Sequence, residues 1–138
     1  MIDRYLIDSN ILVYAFTNID VSKHKQAREL IYNALDSGLG YISKQNIIEF
    51  INTNKKFKEN LSNDQLKKII VGLESLKIID YSTQTIRKAL DIQSTSQIGF
   101  FDSLIIQTMK ENNLFLIYTE NEKDFNKIDN LKVINPFK

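Results

Sequence analysis

The sequence has no cysteine, a single histidine, one proline and only four glycines among its 138 residues. Without cysteine, the chain can form neither disulfides nor thiolate zinc sites, and it has no cysteine nucleophile. One histidine, His24, is too little for a serine–histidine–aspartate triad. None of the glycines belongs to a dinucleotide fingerprint or a phosphate-binding loop. Acidic side chains therefore remain as the groups that can carry chemistry.

Long hydrophobic runs and a strong charge bias are also missing. No apolar run approaches the length that crosses a bilayer, and the N-terminus lacks a signal-peptide pattern. We therefore expect a cytoplasmic protein without membrane contact, which the absence of cysteine suits. The formal net charge is +1, so a polyanionic partner would need a local basic patch. The length, with 43% hydrophobic and 25% charged residues, predicts one globular domain over residues 1–138.

Short apolar runs alternate with amphipathic helical patterns along the chain. Strands are predicted at 5–7, 39–42, 76–79, 114–118 and 131–134. Helices are predicted after the first strand, over 22–37, after Ser43, after Ser62, over 82–90 and over 104–109. In the helix after Ser43, the apolar residues are expected to face inward, namely Ile47, Ile48, Phe50 and Ile51. The alternation predicts an α/β fold, a three-layer α/β/α sandwich on a mainly parallel central sheet.

Three acids interrupt apolar runs or follow a strand. Asp8 closes the first strand, Glu49 stands inside an apolar run, and Asp102 follows two phenylalanines at a helix start. Each has an ordinary structural explanation. Asp8 can cap the following helix, as can Ser9 or Asn10, and Asp102 can cap its own helix. Glu49 can be a partly exposed residue beside the apolar stripe.

A second polar group follows the late strand, consisting of Thr119, Glu120, Asn121 and Asp124. Taken alone, Asp124 is most simply a loop acid paired with Lys123 or Lys127. Because the carboxyl ends of parallel strands meet at one edge of a sheet, this group and Asp8 would converge, and a helix start can add Asp102. Carboxylates that meet repel unless a cation neutralises them, and Mg²⁺ or Mn²⁺ is the usual one for oxygen ligands. Such a site suits hydrolysis of a phosphodiester.

With these residues in view, the chain resembles the PIN-domain ribonucleases, particularly the bacterial VapC-type toxins. The matching segments are 5–14, 42–50, 100–106, 117–121 and 133–137. The resemblance implies a magnesium- or manganese-dependent endoribonuclease with Asp8, Glu49 and Asp102 as the catalytic acids and main metal ligands. Ser9 or Asn10, together with Thr119, would be supporting polar residues. The resemblance also implies homodimers and, commonly, a small antitoxin protein as partner.

One position departs from the family pattern. Many relatives carry a fourth aspartate two residues beyond the Thr119 position, where this chain has Asn121. An amide oxygen can hold a metal or its water but adds no negative charge, and Asp124 or Glu120 would have to compensate. The departure keeps a rival function open, that of a PIN-fold RNA-binding or regulatory protein with weak or no nuclease activity. Cleavage of DNA or structured RNA also stays open, because the acids would serve any phosphodiester.

The best local basic stretch consists of Lys55, Lys56 and Lys58 around Phe57. Lysines near a site can hold phosphates as point charges, so this stretch is the predicted RNA-binding region. A solvated connection between helices is an equally good explanation. In the resembled family, this region also contributes to the antitoxin groove and the dimer surface.

Overall fold

The computed structural model describes residues 3–138, and within them five strands alternate with seven helices. The strands are β1 (Tyr5–Ile7), β2 (Gly40–Ser43), β3 (Lys77–Ile79), β4 (Leu116–Tyr118) and β5 (Lys132–Ile134). The helices are α1 (Ser9–Phe16), α2 (Val21–Ser37), α3 (Lys44–Asn54), α4 (Asn63–Leu73), α5 (Thr83–Ser96), α6 (Phe100–Glu111) and α7 (Glu122–Phe125). No helix in this described range combines the length and apolar character that crossing a membrane requires.

The strands form one sheet in the order β3-β2-β1-β4-β5, and every neighbouring pair is parallel. The chain builds outward from β1 to β2 and β3, then crosses back to place β4 on the other side of β1. Leu6 at the centre is in register with Tyr41 on one side and Ile117 on the other. The strand order therefore reverses between β1 and β4, the position at which open α/β sheets bind their ligands.

Two apolar layers cover the two faces of the sheet. Ile7 packs with residues of α1 to α4, such as Ile11 and Phe50. Leu6, its neighbour in β1, packs on the opposite face with residues of α6 and α7, such as Ile105 and Phe125. Successive strand residues point to opposite faces, so a strand buried on both must be apolar throughout. The predicted three-layer α/β/α sandwich is confirmed, with a fully parallel sheet.

Capping residues start most of the helices, as the sequence indicates. Ser43, Ser62 and Ser82 each begin a helix through a capping box. The alternative explanation that Asp102 caps α6 is wrong, because α6 begins at Phe100, after Gly99, and has no side-chain cap. The predicted end of α5 at Leu90 is also wrong. That helix continues to Ser96, where Gln97 adopts a left-handed conformation and stops it.

The inward face of α3 is narrower than predicted. Phe50 is fully buried, and Ile47 and Ile51 are partly buried against the same core. These three residues are spaced three and four apart, so they share one helix face. Ile48 lies about 100° around the helix from Ile47 and is 57% exposed. The expectation that Ile48 faces inward is therefore wrong.

Gly40 sets the distance between α2 and the sheet. A Cβ at this position would lie 2.3 Å from Ala34 Cβ and 3.3 Å from Tyr5 Cε2. We expect Gly40→Ala to lower the free energy of unfolding by about 2–3 kcal/mol, since α2 must move outward. Gly72, at an exposed position of α4, has nothing within 4 Å of such a Cβ. Gly72→Ala should instead stabilise the chain by about 0.5–1 kcal/mol, and urea unfolding of both variants would measure the contrast. Equal effects would contradict this account of the packing.

Candidate functional site

Asp8 lies at the carboxyl end of β1, where the strand order reverses, and is 4% exposed. Its Oδ1 accepts hydrogen bonds from the Ser9 backbone N–H at 2.8 Å and from Asn46 Nδ2 at 3.3 Å. Its Oδ2 accepts from Thr119 Oγ1 at 2.7 Å and from Asn10 Nδ2 at 3.3 Å. Asp8 itself is the N-cap of α1. Among the three capping candidates, the structure therefore selects the same residue that the sequence marks as a site acid.

Burial is the main influence on Asp8. It raises the pKa of the carboxyl, and the hydrogen bonds from Thr119 and Ser9 act in the opposite direction. A buried carboxylate needs such donors because it has lost its water. The polar residues after β1 and β4 thus hold Asp8 in place, since Asn10 also donates to Thr119 Oγ1 at 3.2 Å.

Glu49 extends from the middle of α3 and is partly buried. Burial, followed by repulsion from Asp8 and a smaller repulsion from Asp102, raises its pKa to about 7, although a hydrogen bond from Gln45 opposes the rise. Gln45 Nε2 donates to Glu49 Oε1 at 3.0 Å and to the carbonyl of Phe101 at 2.7 Å. The Gln45 side chain therefore ties Glu49 in α3 to the first turn of α6.

Asp102 lies in the first turn of α6 and is also partly buried. Its pKa is raised to about 6 by burial and by the neighbouring charges of Asp8 and Asp124. Asn121 Nδ2 donates to Asp102 Oδ2 at 3.1 Å and to Asp124 Oδ2 at 3.3 Å. The amide of Asn121 thus donates to both of two carboxylates that repel each other.

The other predicted residues lie around this group in different ways. Glu120 is an ion-pair partner of Lys23 and accepts a hydrogen bond from the Tyr14 hydroxyl at 2.8 Å. Asp124 faces Lys127 at 3.8 Å as well as Asn121, as the loop-acid explanation expects. Ser9 contributes its backbone N–H to Asp8. The three lysines at 55, 56 and 58 follow the C-terminal end of α3 and are exposed.

Asp8, Glu49 and Asp102 lie close enough for their charges to repel, but the carboxylates do not close into a cage. Within residues 3–138, no three acidic or histidine side chains are placed so that they could enclose a metal ion. Across the same part of the chain, no donor reaches Glu49 Oε2 or Asp102 Oδ1, so each acid keeps one oxygen free. The arrangement is a group of acids that repel one another at an edge of the sheet, with oxygen atoms available to a cation or a proton.

Three polar residues of this neighbourhood were not singled out from the sequence. Gln45 and Asn46 are buried polar residues that immediately precede the apolar run containing Glu49, and that interruption was the available signal. Gln45 Oε1 is buried without a hydrogen-bond partner. Lys23 reaches Glu120 across 97 positions of sequence, and no local pattern could have indicated that contact.

Comparisons with known proteins agree with this architecture. A model of the PIN domain family matches residues 5–131. A chain of the toxin–antitoxin complex from Klebsiella pneumoniae has a TM-score of 0.70 at 24% identity, covering 96% of this chain and 97% of that one. VapBC2 from Rickettsia felis, bound to a DNA fragment from its promoter, gives 0.69 at 24% identity over 95% and 97%.

A third solved structure extends the range of sequences that share the architecture. VapC20 from Mycobacterium tuberculosis, described as a sarcin-ricin loop cleaving toxin, has a TM-score of 0.68 at 11% identity, covering 86% of this chain and 91% of that one. At such low identities, the likeness shows the fold. No curated protein matches the sequence at a significant level.

Proposed function

This chain belongs to the PIN-domain family, and we propose that it is a magnesium- or manganese-dependent endoribonuclease, the toxin of a toxin–antitoxin pair. The observation that carries the proposal is the electrostatic coupling of three acids from separate elements. Asp8 raises the pKa of both Glu49 and Asp102. Groups of mutually repelling acids at the ligand-binding edge of a sheet are typical of functional sites. A divalent cation would neutralise this repulsion.

The side-chain atoms available as metal ligands suit a hard cation. All the candidate ligands are oxygen atoms, the ligand type that Mg²⁺ and Mn²⁺ prefer. Glu49 and Asp102 each offer a free oxygen, and we propose these two as the most accessible ligands. Asp8 already accepts four hydrogen bonds, two of them at 3.3 Å from Asn10 and Asn46. These long contacts are the ones that would yield to a cation.

The chemistry then divides between the cation and the protein. A bound divalent cation would polarise the phosphate and make water a better nucleophile. Asp8 is held rigidly by the end of β1 and by Thr119, so it would fix the position of the site. Gln45 would orient Glu49, and Asn121 would orient both Asp102 and Asp124. We propose supporting roles for Ser9, Asn10 and Thr119, with Asn121 and Asp124 as further ligands.

The proposal of RNA as substrate and of an antitoxin as partner draws on the solved relatives. One of them is described as a sarcin-ricin loop cleaving toxin, and others are toxin–antitoxin complexes. An apolar groove of about 320 Å³ between α2 and α4, lined by Phe16, Ile31, Leu35 and Ile69, is suited to an amphipathic helix of an antitoxin. A homodimer, as in the resembled toxins, belongs to the same proposal.

Metal removal gives the direct test of the proposed function. The purified chain should cleave single-stranded RNA with millimolar Mg²⁺ or Mn²⁺, and EDTA should abolish the cleavage because the acids then repel instead of binding a cation. Gel analysis of a labelled oligonucleotide would measure the rate, and readdition of Mn²⁺ should restore it. Cleavage that persists in EDTA at the same rate would contradict the metal dependence.

Asn121 favours a second candidate, a PIN-fold RNA-binding or regulatory protein with little nuclease activity. Its amide occupies the space between Asp102 and Asp124 without adding charge. Titration calorimetry separates the two candidates: absence of Mg²⁺ or Mn²⁺ binding at millimolar concentration would favour the second one. Binding of a cation with RNA cleavage would favour the nuclease.

A further inference from the structure

Two adjoining hollows lie beside α1 and α3, and the outer one is lined by the loops that follow these helices. The inner hollow, of about 210 Å³, begins at Ser9 and Asn10 and is walled by Tyr14 and Thr53. The outer hollow, of about 390 Å³, is lined by two lysines of the basic stretch, Lys56 and Lys58. Phe57 and Ile19 line both. The two hollows therefore adjoin at these residues, and together they are called the groove below.

The inner end of this groove opens at the candidate site. Asn10, which lines the inner hollow, also donates a hydrogen bond to Asp8 Oδ2. Thr53 stands one helical turn beyond Glu49 on α3, so the two side chains share a face of that helix. A chain lying in the groove would thus pass from the acids along α1 and α3.

The walls of the groove combine aromatic and apolar surface. Phe57 is partly buried, with one side against the core, and also lines the groove. Ile19 is 49% exposed although it is apolar. Aromatic faces of this kind stack with unpaired bases, which single-stranded nucleic acid presents and a duplex does not.

The charge of the outer hollow favours an anion. Lys56 and Lys58 line it together with one acid, Glu59, which leaves an excess of one positive charge. Lys55 lies beside them in sequence but does not line either hollow. Lysine ammonium groups hold backbone phosphates without regard to base sequence.

We propose that this groove is the substrate track for single-stranded RNA, with an unpaired base against Phe57 and backbone phosphates at Lys56 and Lys58. The inference rests on the proposed function, since the groove would be the path by which RNA reaches the acids. Charge complementarity and continuity with Asp8 identify the occupant. Lys55, the third lysine of the basic stretch, contributes only to the positive electrostatic potential around the groove.

The test measures binding without cleavage. Fluorescence anisotropy of a labelled ten-nucleotide single-stranded RNA in EDTA gives a Kd for each variant. The double variant Lys56→Gln, Lys58→Gln should bind at least fivefold more weakly. The slope of log Kd against log salt concentration should be smaller than that of the wild type by about 1.4. Each phosphate of a single strand that a lysine neutralises adds about 0.7 to this slope. Glu59→Gln should bind about twofold more tightly, because it removes the opposing charge.

Matched controls separate the groove from general charge. The double variant Lys88→Gln, Lys110→Gln removes two exposed lysines of α5 and α6 and should leave the Kd within twofold. Phe57→Leu keeps an apolar side chain against the core but loses the aromatic face. It should bind at least fivefold more weakly with an unchanged salt dependence. Circular dichroism melting would verify that each variant is folded.

Several results would overturn the inference. Equal weakening by both lysine pairs, or equally tight binding of duplex RNA, would remove the groove as a single-strand track. Displacement of RNA by polyglutamate as readily as by RNA would assign the groove to an acidic peptide. If the groove variants weaken RNA binding but the wild type shows no Mg²⁺- or Mn²⁺-dependent cleavage, the proposed nuclease function is refuted and the groove is still supported as an RNA-binding site. If the wild type cleaves RNA but the groove variants bind RNA as tightly as the wild type, the nuclease function is supported and the groove is refuted as the substrate track.

Discussion

Replacing Asp8 with asparagine should lower metal-dependent RNA cleavage by about a hundredfold or more. Asp8 is the acid whose charge acts on both Glu49 and Asp102, so its loss removes the centre of the proposed metal cluster. Changes in residues that merely orient metal ligands already cost about ten- to a hundredfold, and loss of the ligand itself should cost at least as much. Initial rates at saturating Mn²⁺ would measure the effect.

The same substitution should cost some stability, because every neighbour of Asp8 is a donor. Thr119 Oγ1 already accepts from Asn10 Nδ2 and from the Asn121 backbone N–H, and its proton points to Asp8. An amide NH₂ facing either Thr119 or Ser9 would leave donors unpaired, at a cost of about 1–3 kcal/mol. Relief of the repulsion from Glu49 and Asp102 offsets part of this cost, so the variant should remain folded.

A matched surface substitution supplies the control for Asp8→Asn. Glu29→Gln removes one negative charge from an exposed position of α2. It should retain the wild-type rate and melting temperature within error. Cleavage by folded Asp8→Asn at the rate of Glu29→Gln would refute the role of Asp8 and, with it, the proposed cluster.

The metal-free protein should lose stability as the pH rises from 5 to 8. Glu49 and Asp102 have pKa values of about 7 and about 6, raised from 4.5 and 3.8. Between these limits, the folded chain binds more protons than the unfolded chain, so the free energy of unfolding falls with rising pH. Because both side chains are partly open to solvent, we expect a loss on the order of 2 kcal/mol. Urea unfolding in EDTA across this range would measure it.

Two comparisons make the pH prediction specific. Glu49→Gln cannot ionise, so it should flatten the pH dependence and be more stable than the wild type at pH 8, whereas Glu29→Gln should follow the wild type. Mn²⁺ at a hundred times its Kd should restore about 2.7 kcal/mol at pH 8. Stability that rises from pH 5 to 8 in EDTA would mean that the acids do not repel one another.

The sequence predicted the sheet well because this sheet leaves strong local marks. Its central strands are buried on both faces, so residues such as Leu6 and Ile7 had to be apolar without alternation. The caps at Ser43 and Ser62 were equally visible, since a capping box is a local pattern. The helix face on which a single residue lies left a weaker mark. Ile48 was predicted to face inward because it belongs to a short apolar run, but this run extends around more than one face of α3.

The candidate site was only partly predictable from the sequence. The acids could be proposed from their places at strand ends and helix starts, and the parallel sheet gave a reason for convergence. Their partners could not, because the contacts join distant positions, as between Asp8 and Thr119 or Asn46. Whether Asp8 was a cap or a site acid also had no answer from sequence. In the structure, one carboxylate makes the capping contact and also raises the pKa of Glu49 and Asp102.

The position of β1 in the sheet has a consequence for the order of folding. During synthesis, β1 can pair with β2 as soon as residues 40–43 are made, but its other edge stays open until β4 is available at residues 116–118. Open strand edges favour aggregation and recruit other chains. Thr119, which holds Asp8, arrives with the same late strand. Until β4 has been made, a nascent chain therefore lacks both the second neighbour of β1 and the hydrogen bond from Thr119 that holds Asp8.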